Sequence, residues 1–320
     1  MARRGTAAES ALAVVLQKVD EAYLWPQPEA VADAKQRADR LIRELDQGRA
    51  WMFQVLRVHE HGSLGRGTAL RDFKDLDRLI ELDPLALHTR SGQFRSARDT
   101  IRRMAKHIAD RRAGLVTMGA ITVRAQDHSV GIWYPGSELR IDLVPAVTSQ
   151  GAVYIPELGT GDWIRTDPAA TAARLGRAKR AAPHTDTAVR LLKGWARARG
   201  RNAPIASFAV ETWVVDAVLK RPKPLDELVA SFFDDIGSTH AGRHLALGSS
   251  GFARCAVTLL DPVSGNNLTQ DLQRQHRTTL VKSCRTAAIE LARIAALARD
   301  GQLTQAVTAG KRLFVGRTWG

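Results

Sequence analysis

The chain has 320 residues and a net charge of +14, with 44% hydrophobic and 25% charged residues. This length suits two domains of ordinary size, and the composition excludes wholesale disorder. Two cysteines are too few for a disulfide framework or a four-ligand zinc site, and no apolar run approaches the roughly 20 residues of a membrane-spanning helix. Glu9 interrupts the pattern of a signal peptide, so we expect a cytoplasmic protein without membrane attachment.

The first half of the chain mixes helical and strand patterns. Apolar residues at helical spacing predict helices over 7–20, 29–48 and 92–112. Short runs of apolar and β-branched residues between turn formers predict strands over 51–58, 75–82, 121–125, 130–134, 139–147 and 152–155. The sequence His61-Gly62-Ser63 predicts a loop after the first of these strands.

After Pro168 the pattern becomes helical. The predicted helices cover 168–181, 185–199, 205–220, 225–236, 269–299 and 302–312. Strands followed by helices indicate the α+β class. We therefore expect a core over 1–160, which includes the N-terminal helices, and a helical lobe over 161–320.

The residues best suited to chemistry follow the predicted loop. Asp75 and Asp77 lie two positions apart on a predicted strand, so both side chains project from the same face. Two adjacent carboxylates repel each other unless a cation lies between them, and their hard oxygen ligands suit Mg²⁺. The small residues Gly62 and Ser63 would let backbone amides approach a phosphate closely.

A third carboxylate comes from a later strand. Leu139, Ile141 and Leu143 alternate on one face, which leaves Asp142 and Arg140 on the opposite face. If this strand lies beside 75–82, the three aspartates converge. Three carboxylates can hold two metal ions about 3.5–4 Å apart, as in phosphoryl and nucleotidyl transfer.

These motifs resemble a known superfamily. Gly-Ser-Leu-Gly-Arg-Gly-Thr, Lys-Asp-Leu-Asp and Arg-Ile-Asp-Leu-Val-Pro-Ala, at positions 62–68, 74–77 and 140–146, are similar to the motifs of nucleotidyltransferases with a polymerase-β-like core. The branch is that of oligoadenylate synthetase, cyclic GMP–AMP synthase and the bacterial cGAS/DncV-like enzymes. The resemblance implies a mixed sheet flanked by helices, a helical second lobe and an active site in the cleft between them.

The resemblance also implies residue roles in the first half of the chain. Asp75, Asp77 and Asp142 would be the catalytic carboxylates that hold two Mg²⁺ ions, with Mn²⁺ as an alternative. Gly62 and Ser63 would bind the donor nucleotide.

The helical half carries weaker matches. Lys193 lies in a segment that resembles the lysine-bearing helix of the family, and Ser207 and Phe208 lie in one that resembles its S-[YF]-x-x-E helix. By resemblance, Lys193 and Ser207 would bind donor phosphates and Phe208 would stack on a base. Glu211 is interpreted as a structural hydrogen-bonding residue. Arg78 departs from the apolar residue usual after the D-x-D, and we expect it to reach solvent or a phosphate.

The expected function is metal-dependent polymerisation of NTPs into a cyclic or short oligonucleotide second messenger, in bacterial anti-phage signalling. A ribose hydroxyl would attack the α-phosphate and pyrophosphate would leave. The alternatives are a template-independent nucleotidyltransferase acting on RNA or protein, a linear oligoadenylate synthetase activated by nucleic acid, and a non-catalytic nucleic-acid-binding relative.

Besides NTPs, three kinds of partner are expected. The stretch 165–201 holds ten basic and two acidic residues, which favours an activating nucleic acid as ligand. Regulatory or effector proteins of a defence operon are a second kind. Gly320 suggests conjugation through a C-terminal glycine, as in some bacterial relatives.

Overall fold

The computed structural model describes residues 10–47, 53–89, 91–111, 121–238, 259–265, 267–269, 272 and 274–316. The chain divides into two compact units. One is Pro26–Ala172, and the other consists of the described parts of Met1–Trp25 and Ala173–Gly320. The sequence pattern predicts that the N-terminal helices belong to the core and that the boundary lies near residue 160. The structure differs because the first helix packs with the C-terminal helices.

The unit Pro26–Ala172 is built on a seven-stranded mixed sheet. Its strands are β1 Val55–Glu60, β2 Asp75–Leu82, β3 Thr122–Ala125, β4 Val130–Trp133, β5 Arg140–Ser149, β6 Ala152–Pro156 and β7 Trp163–Thr166. The strand order is β1-β2-β5-β4-β3, and β6 pairs with both β5 and β7. The β2–β5 pair is parallel and the remaining pairs are antiparallel. The α+β class and the mixed sheet are confirmed.

Among the described residues, three α-helices lie wholly in this unit: α2 Pro28–Gln47, the short α3 Gly62–Arg66 and α4 Ala97–Arg111. On α2, Ala34, Ala38, Leu41 and Leu45 recur at helical spacing and are buried in the core with Leu76 and Ile80 of β2. Sequence patterns did not predict β7, and the loop predicted at residues 61–63 is largely the start of α3.

Arg78 corrects an expectation. It lies on β2 between Leu76 and Ile80, on the face that packs into the core, and it is 3% exposed. Its guanidinium donates to Asp39 Oδ1 on α2 at 3.1 Å. The alternation of the strand turns Arg78 away from solvent, and Asp39 balances its charge there.

The second unit is helical. It contains α1 Ala11–Val19, most of α5 Pro168–Ala181, α6 Thr185–Arg199, α7 Ser207–Lys220, α8 Leu225–Gly237, α9 Arg274–Arg299 and α10 Leu303–Phe314. Helix α6 is buried over most of its length, with Trp195 fully buried against the rings of Phe232 and Phe233. A one-turn π-helix at Asp20–Leu24 extends α1, and the Asp20 carboxylate accepts hydrogen bonds from buried Arg190, from Nε at 2.9 and 3.2 Å and from Nη2 at 2.6 Å. None of the described helices is long and apolar enough to cross a membrane.

Candidate active site

The three aspartates singled out by the sequence lie on neighbouring strands. In the parallel register of β2 and β5, Asp77 is the partner of Asp142 and Asp75 is the partner of Arg140. Side chains at alternate positions share one face of a sheet, and residues paired in register project to the same side. The structure therefore brings Asp75, Asp77 and Asp142 to one face, as the sequence analysis required.

Gly62 is fitted closely against Asp77. Its backbone has a φ of +67°, and a Cβ atom placed there would lie 1.7 Å from Asp77 Oδ2. The amide of the preceding His61 donates to the Asp77 carbonyl at 3.3 Å. Only glycine satisfies both the positive φ and the close approach. The Gly-Ser motif is thus held against the second carboxylate, with Leu64 buried as its anchor.

Burial and mutual repulsion raise the pKa of two carboxyls. Burial raises the pKa of Asp142 to about 6, against the opposing effect of Arg140. Burial and the charge of Asp75 raise the pKa of Asp77, while Arg66 and Arg140 act in the opposite direction. Crowded carboxylates of this kind are neutralised by a proton, a cationic side chain or a metal ion.

A cationic side chain lies among these carboxylates. Arg140 Nη2 is 2.9 Å from Asp75 Oδ1 and 2.8 Å from Asp142 Oδ2, and Nε donates to the same Asp142 oxygen at 3.0 Å. The other oxygen of Asp142, Oδ1, is buried and has no hydrogen-bond partner among the described residues. No choice of one carboxylate oxygen each from Asp75, Asp77 and Asp142 brings all three atoms within 4.8 Å of one another.

The residues fit a divalent metal. The donors are carboxylate oxygens, the ligands that Mg²⁺ prefers. Asp142 Oδ1 is a buried acceptor that no described residue donates to, and such an atom is costly unless a cation or donor meets it. Gly62 leaves the space beside Asp77 Oδ2 free of side-chain atoms of its own.

The predicted nucleotide contacts of the helical half lie on α6 and α7. Lys193 is 4% exposed, and its Nζ is 2.9 Å from Glu211 Oε2, which fits the hydrogen-bonding interpretation of Glu211. Ser207 is the exposed first residue of α7, and Phe208 is half-buried beside it. Their contacts with a nucleotide stay predictions.

Fewer basic side chains of the stretch 165–201 can bind an anionic ligand than its sequence suggests. At least five of its ten basic residues form ion pairs with acidic side chains: Arg174 with Asp216, Lys179 with Asp186, Arg190 with Asp20, Lys193 with Glu211 and Arg199 with Glu290. The other five, Arg165, Arg177, Arg180, Arg197 and Arg201, are exposed.

Sequence reasoning missed one group with metal-ligand chemistry. Asp127, His128 and Glu157 place one ligand atom each within 4.8 Å of one another. The His128 Nδ1 donates to the Pro156 carbonyl at 2.8 Å, and the Thr160 hydroxyl donates to Glu157 at 2.8 Å. No spacing rule could reveal this group, because Glu157 is brought to the β3–β4 turn only by the tertiary fold.

The chain was compared with known proteins. Residues 22–177 match the family model of the Second Messenger Oligonucleotide or Dinucleotide Synthetase domain. The chain is 27% identical over 284 residues to the cyclic AMP-AMP-AMP synthase of Escherichia coli (strain MS 115-1), covering 82% of this chain and 83% of that protein.

Solved structures share the fold. The E. coli MS115-1 CdnC in its complex with HORMA-deltaN superposes with a TM-score of 0.69 at 22% identity, covering 96% of this chain and 98% of that one. The Bradyrhizobium diazoefficiens CD-NTase CdnG in complex with GTP gives 0.63 at 14% identity, with 95% and 96% covered.

The matched domain and the synthase relative show that the chain is a nucleotidyltransferase, and the solved structures show that its fold is polymerase-β-like. Enzymes with the matched domain are generally dependent on a divalent metal. The chain is similar to the cGAS/DncV-like nucleotidyltransferases, enzymes that synthesise oligonucleotide second messengers, and the resemblance stated from its motifs is confirmed.

Proposed function

We propose that the protein joins NTPs into a cyclic oligonucleotide second messenger. The proposal rests on the parallel register of β2 and β5, which pairs Asp77 with Asp142. Gly62 packs directly against Asp77 at this position. A cyclic product is supported by the relative at 27% identity, which is a cyclic AMP-AMP-AMP synthase. The relative CdnC with bound ATP supports NTPs as substrates.

In the proposed reaction, a ribose hydroxyl oxygen forms a bond to the α-phosphorus of an NTP. The bond from that phosphorus to the bridging oxygen breaks, and pyrophosphate leaves. The hydroxyl proton is accepted by Asp142 Oδ1, the buried oxygen to which no described residue donates. In its ionised form, the Asp142 carboxylate can act as the proton acceptor.

Asp75, Asp77 and Asp142 would hold two divalent ions, with Mg²⁺ proposed and Mn²⁺ able to substitute. When bound, these ions would neutralise charge on the phosphates and make the attacking hydroxyl more acidic. Gly62 and Ser63 are proposed to contact the donor triphosphate, as are Lys193 and Ser207. Phe208 is proposed to stack on a base, since an aromatic face accepts any base.

The decisive experiment is product analysis. The protein is incubated with labelled NTPs and Mg²⁺, digested with phosphatase, and the products are separated by chromatography. A phosphatase-resistant small product is expected. Label on added RNA or protein, or a linear ladder, would replace this proposal with one of the alternative acceptors.

Isosteric variants test the carboxylates. Asp77→Asn and Asp142→Asn should lose product formation by at least about a hundredfold while remaining folded. The matched control is Asp110→Asn, which removes an exposed carboxylate of α4 that pairs with Lys106. Product formation by Asp77→Asn at the wild-type rate would overturn the metal assignment.

By analogy with the same relatives, we also propose that the activity of this enzyme is regulated within an anti-phage operon. The structure of CdnC with HORMA-deltaN shows that one relative assembles with a protein partner. An activating nucleic acid would meet the exposed arginines of 165–201, and its binding should weaken steeply with salt. Gly320, the proposed conjugation site, lies outside the described residues.

A further inference from the structure

Arg140 occupies an unusual place for a cation in a proposed metal site. Its guanidinium bridges Asp75 Oδ1 and Asp142 Oδ2 at 2.9 and 2.8 Å, on the same sheet face as Asp77. These two carboxylates belong to different strands, so a single side chain joins the ends of the cluster. The guanidinium thus takes the role of countercharge that a bound divalent ion would otherwise fill.

The neighbouring strand supports Arg140 from the other side. Trp133 of β4 is its cross-strand partner, and the guanidinium carbon lies 5.6 Å from the centre of the indole ring. The side chain of Arg140 is 27% exposed, so it can leave the carboxylates without opening the core. Contact with the aromatic face of Trp133 would stabilise the guanidinium after it leaves the carboxylates.

We propose that Arg140 is a positioning residue that competes with divalent metal for Asp75 and Asp142. In the metal-free enzyme it holds the two carboxylates and offsets their repulsion. When the site loads, the guanidinium gives up at least one of these oxygens and stays over Trp133. The inference rests on the proposed function, because it assumes that these carboxylates bind the metal.

The physical argument concerns charge and position. A guanidinium at 2.8 Å from a ligand oxygen occupies the coordination space of an ion and repels it. The strands β2 and β5 hold the carboxylates in register, so removing Arg140 relieves competition without releasing the backbone that positions them. Metal-free stability and metal affinity should therefore respond to Arg140 in opposite directions.

The test uses the full-length protein and Mn²⁺ alone. Mn²⁺ affinity is measured by titration calorimetry and by electron paramagnetic resonance of free Mn²⁺, and thermal unfolding is followed without metal. The variants are Arg140→Gln and Arg140→Lys. The matched control is Arg124→Gln, because Arg124 is exposed and also lies over the Trp133 ring, at 5.7 Å, with no carboxylate partner seen in the described residues.

Arg140→Gln should lower the Kd for Mn²⁺ about tenfold, the effect of losing a charge-assisted contact that is partly exposed. Arg140→Lys should lie between it and the wild type, since an ammonium cannot bridge both oxygens in a fork. The metal-free unfolding temperature of Arg140→Gln should fall by roughly 2–4 °C. Arg124→Gln should leave the Kd unchanged.

An Arg140→Gln protein that binds Mn²⁺ no more tightly than the wild type overturns the competition. General structural damage would lower both stability and affinity, so it does not imitate the expected result. Asp77→Asn separates this inference from the proposed function. If the wild type and Asp77→Asn bind Mn²⁺ with the same Kd, the proposed metal site is wrong. If Asp77→Asn loses Mn²⁺ binding but Arg140→Gln binds like the wild type, the metal site stands and only the proposed role of Arg140 is wrong.

Discussion

Replacing Gly62 by alanine tests the closest contact in the candidate site. The added Cβ atom would lie 1.7 Å from Asp77 Oδ2 and 2.5 Å from Asp77 Cγ, so the carboxylate and the turn must move apart. Real Cβ atoms essentially never approach another heavy atom within 3.0 Å. The separation must therefore open by more than an ångström.

Two costs are combined in this variant, and a control separates them. An alanine at φ +67° costs roughly 1–2 kcal/mol of backbone strain. Gly151, in the β5–β6 turn, has a φ of +76°, and a Cβ atom added to it would meet no described atom within 4 Å. Gly151→Ala therefore carries the same backbone strain without the collision with a carboxylate.

Misplacing a catalytic group by about 1 Å costs on the order of a hundredfold in rate. Gly62→Ala should lose about that much kcat, measured by pyrophosphate release, and should bind Mn²⁺ more weakly. Gly151→Ala should keep its rate within about twofold. Its backbone strain should lower the free energy of unfolding by about as much as the strain of an alanine at position 62 does. Equal rates in the two variants would show that the turn does not position Asp77.

The remaining predictions concern ionisable side chains. Because Asp142 must ionise to bind metal and its pKa is about 6, Mn²⁺ affinity should fall about tenfold per pH unit below that value. The same raised pKa means that the folded state holds the proton more tightly, so metal-free stability should decline by up to about 3 kcal/mol as pH rises from about 4 through 6; a rise in urea titrations would contradict this. Asp20→Asn should cost about 3–5 kcal/mol of unfolding free energy because it leaves Arg190 buried without its bidentate partner, whereas Asp186→Asn, 3.7 Å from the same arginine and partly exposed, should cost under about 1 kcal/mol. If Lys193 contacts the triphosphate, the double variant Lys193→Met, Glu211→Met, which removes the buried pair together, should raise KM for NTP about tenfold; an unchanged KM in a folded double variant would assign Lys193 a structural role.

Features that depend on neighbouring residues could be predicted from the amino-acid sequence. The bounds of α5 and α6 agree with the predicted 168–181 and 185–199, because helical periodicity and the flanking turn residues are local properties. Alternation along one strand fixed that Asp75 and Asp77 share a face. The motifs around the Gly-Ser turn and the three aspartates carried the resemblance to the cGAS/DncV-like nucleotidyltransferases.

Which side chains contact one another depends on the tertiary structure. Strand alternation does not say which strand lies alongside, so the pairing of Asp77 with Asp142, 65 positions later, needed the sheet register. The same register placed Arg140 between two carboxylates, and α2 supplied the partner that let Arg78 be buried. Helical spacing likewise could not show that Lys193 faces Glu211, or that at least half of the basic side chains of 165–201 have acidic partners. A local pattern fixes the direction of a side chain relative to its own backbone, whereas its charge environment depends on distant segments that only the folded chain brings within a few ångströms.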